Sequence, residues 1–191
     1  MFGKRRADSL SKEDQQTLLK LAREAIEARL RGEPIPVVET DSPRLREHRG
    51  VFVTLKVDHH LRGCIGMLNA DRPLVETVGE IAAAAAFQDP RFPPLSPDEL
   101  PQVSIEISVL APLKRVSSVK KIKVRRDGLL IKKGRAQGVL LPQVASKNRW
   151  NRKTFLENAC LKAGLEKDAW TEPEVEIMTF TAQVFEEKRN H

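Results

Sequence analysis

A six-residue segment places a thiol, a cation and two glycines at the spacing of a β-strand: Leu61-Arg62-Gly63-Cys64-Ile65-Gly66. Successive side chains of a strand point to opposite faces, so the odd-numbered residues share the face that goes to the core and the even-numbered ones share the other. A neighbouring positive charge lowers the pKa of a thiol and favours the nucleophilic thiolate, and glycine lets a ligand or another backbone approach. The pattern predicts a ligand-contacting site with Cys64 as nucleophile, aided by Arg62. The alternative is a packed Cys64 and glycines that serve packing.

Charged residues in a proline-rich segment, Phe87 to Pro94, could complete such a site. Proline fixes φ and stiffens a loop. Asp89 could accept a planar, bidentate pair from Arg62 or from Arg91. In the functional interpretation Asp89 and Arg91 line a binding site with Arg62, and in the alternative they tie down a rigid loop by a local salt bridge. His59 and His60 are candidate bases, although histidines in a hairpin turn are usually solvated.

Positive charge is concentrated in one part of the chain. The net charge is +7, yet the segment from Lys114 to Lys153 holds fourteen lysines and arginines and one acid, Asp127. A basic surface of this kind suggests an anionic partner, nucleic acid included, and the alternative is that these side chains are the solvated faces of short strands. Only nine aromatic residues occur in the whole chain, so stacking platforms for single-stranded nucleic acid are few.

Several classes of protein are disfavoured by composition and spacing. No apolar run approaches the roughly 18–20 residues that span a bilayer, and a polar helix follows the first basic residues where a secretory leader would be apolar. The two cysteines, Cys64 and Cys160, are far apart and are predicted to be free thiols in a reducing compartment. Without CxxC, HExxH or a phosphate-binding loop, we expect no metal and no cofactor. The sequence predicts a cytoplasmic protein.

Hydrophobic periodicity predicts three main helices and several short strands. One helix follows a capping-box-like start at Ser11, a second opens at Asp71 and Pro73, and a third follows Asn151 as N-cap. Alanines 82–86 lack bulk, so another backbone should lie close to the second helix. Strands are predicted at residues 51–57, 61–67, 103–109, 120–124, 128–132, 137–141 and 175–185. Because strands and helices follow no strict βαβ order, we predict an α+β fold with mixed or antiparallel sheets.

The segment Leu61–Gly66, which we call the signature, and several further stretches resemble the AMMECR domain family. The match extends in order over nearly the whole chain, and its stretches are Leu61–Gly66, Ala85–Leu95, Ile105–Leu110, Leu140–Ala145, the positions Trp150, Phe155-Leu156 and Cys160, Lys162–Leu165, and Ala182–Glu187.

This resemblance implies one domain over residues 1–191, made of two unequal lobes that form a cleft with the signature near it. Members of the family travel with Memo-type and radical SAM proteins in prokaryotes, which implies an accessory or partner-binding module. The alternatives are an enzyme whose cleft takes a small anionic metabolite with Cys64 as nucleophile, and nucleic-acid binding through the 114–153 face. The predicted ligand contacts are Arg62, Gly63, Gly66, Asp89, Arg91 and Gln143.

Departures from the family pattern make one surface more basic. Many relatives have glycine where this chain has Arg125, and an acidic residue follows Val144-Ala145 where this chain has Ser146 and Lys147. Asn151 replaces a common aspartate after the tryptophan. The signature residues themselves are intact.

Overall fold

The structure is a computed structural model, described here for residues 9–187. It contains four α-helices and two four-stranded sheets. The chain divides into two compact units, one comprising the described residues up to Leu110 and from Gln183 onward, the other comprising Ala111–Ala182. The architecture confirms the predicted α+β fold, and the sheets are antiparallel.

The first unit begins with a capped amphipathic helix, α1 (Lys12–Leu30). The Ser11 hydroxyl accepts a hydrogen bond from the Asp14 N–H, and the Asp14 carboxylate accepts one from the Ser11 N–H. This capping box satisfies two N–H groups that the helix leaves without intrahelical partners. The helix ends before Gly32, whose φ of 73° suits glycine,.

A four-stranded sheet of order β2-β1-β3-β8 supports the first unit. Its strands are β1 (Val51–Val57), β2 (His60–Met67), β3 (Val103–Leu110) and β8 (Ala182–Glu186). Val51, Val53 and Leu55 are fully buried and alternate with half-buried residues, so one face of β1 enters the core. β1 and β2 form the predicted hairpin, turning through Asp58 and His59, both with positive φ.

The second helix, α2 (Leu74–Phe87), packs closely against α1 and the sheet. The predicted close approach of another backbone to its run of alanines is confirmed, and that backbone belongs to β2: a Cβ built on Gly63 would come 2.2 Å from the Ala85 carbonyl oxygen. The small side chains on α2 and the glycine on β2 let the helix backbone approach the strand. Gln88 ends the helix, and a proline-rich loop follows.

The second unit has a sheet of order β4-β7-β5-β6, with α3 (Pro142–Lys147) and α4 (Arg152–Lys162) contacting its strands. The strands are β4 (Lys114–Arg115), β5 (Gly128–Lys133), β6 (Ala136–Leu140) and β7 (Glu176–Phe180). Phe155, Leu156 and Cys160 of α4 are buried in its core with Leu129 and Ile131 of β5.

Two strand predictions are wrong in this region. The segment 120–124 contains no strand: it has a 3-10 helix at Val119–Lys121 and then a turn, closed by hydrogen bonds between Lys123 and Asp127. The single long strand predicted over 175–185 is two strands, β7 and β8, separated at Thr181 and belonging to different sheets. Apolar and polar residues keep alternating along the sequence across this break, so periodicity does not reveal where one strand ends and the next begins.

Candidate functional site

Arg62 forms a β-bulge in the signature strand. Leu55 of β1 pairs with Gly63, and Lys56 pairs with Leu61, so Arg62 is the extra residue on β2. A bulge of this kind shifts which face later side chains take. Leu61 is 45% exposed, so the prediction that Leu61 shares the buried face with Gly63 and Ile65 is wrong.

Protein atoms fill the space beside both signature glycines. Gly63 is buried against the backbone of Ala85, as described above. A Cβ on Gly66 would come 2.2 Å from ring atoms of Phe52, its cross-strand partner on β1. Packing accounts for the absence of a side chain at both positions, and the ligand contacts predicted for Gly63 and Gly66 stay sequence predictions.

Asp89 anchors the loop after α2 to the signature strand, an arrangement we call the Asp89 clamp. One carboxylate oxygen accepts from the Arg91 Nε (2.9 Å) and backbone N–H (3.1 Å), the other from the Arg91 Nη2 (2.7 Å) and the Cys64 N–H (2.8 Å). Asp89 is 4% exposed. The Arg91 guanidinium holds the pKa of Asp89 well below its usual range; burial opposes this effect and the two N–H donors reinforce it,.

Arg62 pairs with Glu99, a residue that the sequence did not single out. The Nε and Nη2 of Arg62 lie 2.7 and 3.0 Å from the two Glu99 carboxylate oxygens. This contact, helped by the Ser96 N–H, lowers the pKa of Glu99 to about 2. Of the two partners considered for Asp89, the structure selects Arg91. The guanidinium groups of Arg62 and Arg91 lie 5.9 and 5.6 Å from the centroid of the Phe92 ring, close enough for cation–π attraction.

Cys64 is half-buried beside a hydroxyl and a cation. The Thr54 hydroxyl, directly across the strand pair, lies 3.3 Å from the Cys64 Sγ. The Arg91 Nη2 donates to the Cys64 carbonyl oxygen (3.2 Å), and the Cys64 side chain is one of the groups that raise the Arg91 pKa, after Asp89. Both arginines are paired with a carboxylate, Arg62 with Glu99 and Arg91 with Asp89. Arg91 is the better placed of the two to act on the thiol, because its guanidinium also contacts Cys64.

Polar residues on the neighbouring strand are more enclosed than strand alternation suggested. Glu106 lies opposite Thr54 on β3, its side chain is 15% exposed, and it pairs with the Lys56 ammonium at 2.6 Å. Ser108 is 1% exposed. Both polar side chains are therefore enclosed, although polar residues on a strand face are usually solvated. By contrast His59 and His60, the candidate bases, are exposed at the hairpin turn.

Other predicted features lie elsewhere in the fold. Gln143 is on the first turn of α3, in the second unit, and its ligand role stays a sequence prediction.

The first unit has a recess of about 650 Å³ between α1 and the residues around Val103 and Phe185, apart from the signature. Within residues 9–187, no group of three or more His, Cys, Asp or Glu side chains could hold a metal ion, and no helix is long and apolar enough to cross a membrane.

Together these features define a small α+β protein in which a clamped arginine lies beside a half-buried thiol on an antiparallel sheet. The AMMECR1 family model matches residues 19–185, and the chain belongs to that family. It is 43% identical over 185 residues to a protein of Methanothermobacter thermautotrophicus, covering 93% of this chain and 96% of the relative. It is 44% identical over 190 residues to a protein of Methanopyrus kandleri, covering 95% and 92%.

A solved structure shows the same fold. The crystal structure of an uncharacterized protein from Pyrococcus horikoshii matches with a TM-score of 0.85 and 41% sequence identity, covering 90% of each chain. The names of these three relatives state no reaction, ligand or partner.

Proposed function

We propose that this protein is a cytoplasmic accessory module that binds a protein partner of the Memo or radical SAM type. The observation that carries the proposal is the Asp89 clamp. Asp89 neutralises the charge of Arg91, and Glu99 neutralises that of Arg62, so both cations are paired within the protein. Charged groups that pair with each other fix the conformation of a surface and are less available for a reaction.

The clamp supports a preformed binding surface on the proline-rich loop. Leu95 is buried and its N–H donates to the Ala86 carbonyl oxygen, which fixes the far side of the loop to α2. Between these two anchors Arg91, Pro93 and Pro94 are exposed. A loop that is already rigid loses little conformational entropy when a partner binds it, which favours recognition.

Leu61 adds an apolar contact on the adjacent strand. The bulge at Arg62 turns this side chain outward, where it is 45% exposed. We infer that Leu61 and the proline-rich loop belong to one partner surface. Single apolar residues are common on surfaces, so Leu61→Glu is the variant that tests this assignment.

The test is direct binding between purified proteins. Immobilised Memo-type and radical SAM proteins from the same organism are titrated with the wild-type chain, with Leu61→Glu, and with Val37→Glu as the control, since Val37 is also an exposed apolar residue (88%). We expect a Kd below about 10 µM for at least one partner, weakened at least about tenfold by Leu61→Glu only. Absence of binding to both partners, or equal weakening by the two variants, would refute the proposal.

A second candidate is an enzyme that uses Cys64 as nucleophile toward a small anionic metabolite. It is favoured by the Thr54 hydroxyl at 3.3 Å and by the adjacent guanidinium of Arg91. Hydrogen bonds and positive charge stabilise a thiolate, and the exposed part of Arg91 could contact the anion,.

Alkylation kinetics distinguish this candidate. The rate of iodoacetamide modification of Cys64 is measured against pH by mass spectrometry, in the wild type and in Arg62→Ala and Arg91→Ala. Cys160 is the internal control, since it is buried and burial raises its pKa. A catalytic Cys64 should be alkylated faster near neutral pH than a free thiol such as glutathione, and Arg91→Ala should slow the reaction more than Arg62→Ala. Alkylation no faster than that of glutathione would exclude the nucleophile.

A further inference from the structure

The second unit carries a cluster of exposed cations that the proposed function does not use. We call it the basic patch; its members are Lys120, Lys121, Lys123, Arg125, Arg126, Lys147, Arg149, Arg152 and Lys153, all exposed. The segments 120–126 and 147–153 contain no acidic residue. The Arg152 Nε donates to the Ile122 carbonyl oxygen at 3.1 Å, which joins the two segments at the start of α4.

Many of these cations are available to a ligand. Arg126 pairs with Asp127 and Lys153 with Glu157 at 3.8 Å, and the Lys121 ammonium donates to the Ser117 hydroxyl. Five side chains of the basic patch have no side-chain hydrogen bond or ion pair with any residue in the described range 9–187: Lys120, Lys123, Arg125, Lys147 and Arg149.

Backbone strain distinguishes this patch from an ordinary solvated face. Arg125 and Arg149 have φ values of 74° and 53°, a left-handed conformation that is unfavourable for residues with a Cβ and natural for glycine. Their side chains gain no partner from the described part of the chain that would offset this cost. Exposed arginines kept at strained positions are most simply explained if the guanidinium groups contact something outside the protein.

We propose that the basic patch binds the phosphate backbone of nucleic acid without reading its sequence. Guanidinium groups match phosphate oxygens bidentately, and several separated cations suit a polymer with regularly spaced charges. An anionic membrane is a poorer fit, because Leu161, the large apolar side chain exposed in this unit, lies near the opposite end of α4 from Arg152. The proposal is independent of the partner surface on the first unit.

Fluorescence anisotropy with labelled probes tests the proposal. The probes are a uridine oligomer of about 20 nucleotides and a DNA duplex of about 20 base pairs, titrated with full-length protein at several salt concentrations. If the five unpartnered cations contact phosphates, the slope of log K against log salt for the single strand should be about −3 to −4. Vesicles of phosphatidylserine and phosphatidylcholine are titrated in parallel.

The informative variant is Arg125→Gly combined with Arg149→Gly. Glycine accepts the left-handed backbone, so the melting temperature should be unchanged or higher while two phosphate contacts are lost. We expect affinity at about 50 mM salt to fall at least about tenfold and the slope to become less steep by about 1.4. The matched control is Lys162→Gln with Lys167→Gln, which removes two exposed charges of the same unit outside the patch and should change affinity less than about twofold.

The opposing outcomes are equally specific. No anisotropy change with either nucleic acid at about 50 mM salt would overturn the proposal, because electrostatic binding is strongest at low salt. Equal losses in the two double variants would reduce the effect to net charge and would also overturn it. Binding to the vesicles alone would assign the patch to a membrane surface instead.

Discussion

Replacing Asp89 by asparagine should destabilise the protein by about 2–4 kcal/mol. Each carboxylate oxygen of Asp89 accepts two hydrogen bonds, one of them from the guanidinium of Arg91. Asparagine keeps one acceptor oxygen and places an NH₂ group against two donors, so at least two hydrogen bonds are lost in a buried position. Hydrogen bonds to charged groups contribute about 1.5–3 kcal/mol each, and the half-exposed Arg91 recovers part of the loss by hydration.

Urea unfolding followed by circular dichroism measures this change, with Asp98→Asn as control. Asp98 is an exposed aspartate of the same loop, and its substitution should alter the free energy of unfolding by less than about 0.5 kcal/mol. A loss for Asp89→Asn no larger than that of the control would show that the clamp does not stabilise the fold. Both tryptophans, Trp150 and Trp170, are in the second unit, so fluorescence reports that unit separately.

The effect should also depend on pH with a definite sign. The folded-state pKa of Asp89 is depressed, so its stabilisation is fully present above the unfolded pKa of about 3.9 and is lost as pH falls toward the folded value. The penalty of Asp89→Asn should therefore be constant near neutrality and shrink below about pH 4. A penalty that stays constant down to pH 2 would contradict an ionised, clamped carboxylate.

Glu99→Gln should destabilise the protein near pH 7, because the Arg62 contact lowers the pKa of Glu99 to about 2. The difference in unfolding free energy between this variant and the wild type should disappear as pH falls from about 4.3 toward 2. A difference in urea midpoints that does not change with pH would contradict this prediction. Gly63→Ala should cost about 1–3 kcal/mol or more and exceed Gly66→Ala, since the former meets helix backbone and the latter a rotatable ring; thermal melts of the pair would reveal the reverse order. Asn151→Ala should lower the free energy of unfolding by about 1 kcal/mol, because it removes the N-cap of α4,. Asn151→Asp, measured in the same melts, should leave the free energy of unfolding nearly unchanged, because aspartate caps equally well.

Local sequence rules predicted the elements whose structure depends on near neighbours. The capping box at Ser11, the N-cap at Asn151 and the hairpin from Val51 to Met67 all involve residues close in the chain. The α+β class and the close approach of backbone to the alanines of α2 were also predicted. In each case short-range hydrogen bonding or side-chain size is enough to decide the outcome.

Tertiary contacts decided the candidate site. The bulge at Arg62 depends on which β1 residue each β2 residue meets, and alternation along one strand contains no such information,. Glu99 lies 37 residues from Arg62 in the chain, so its pairing could not be inferred from spacing. A one-letter pattern likewise cannot distinguish a glycine that admits a ligand from one that admits a helix backbone.

The sequence by itself therefore determined the family, the fold class and the residue types of the signature. The folded chain alone decided that Asp89 holds Arg91, that Glu99 holds Arg62, and that one long predicted strand serves two sheets. The physical reason is that capping and periodicity act within a few residues, whereas strand register and ion pairs join groups far apart in the chain, where sequence distance carries no record of spatial distance.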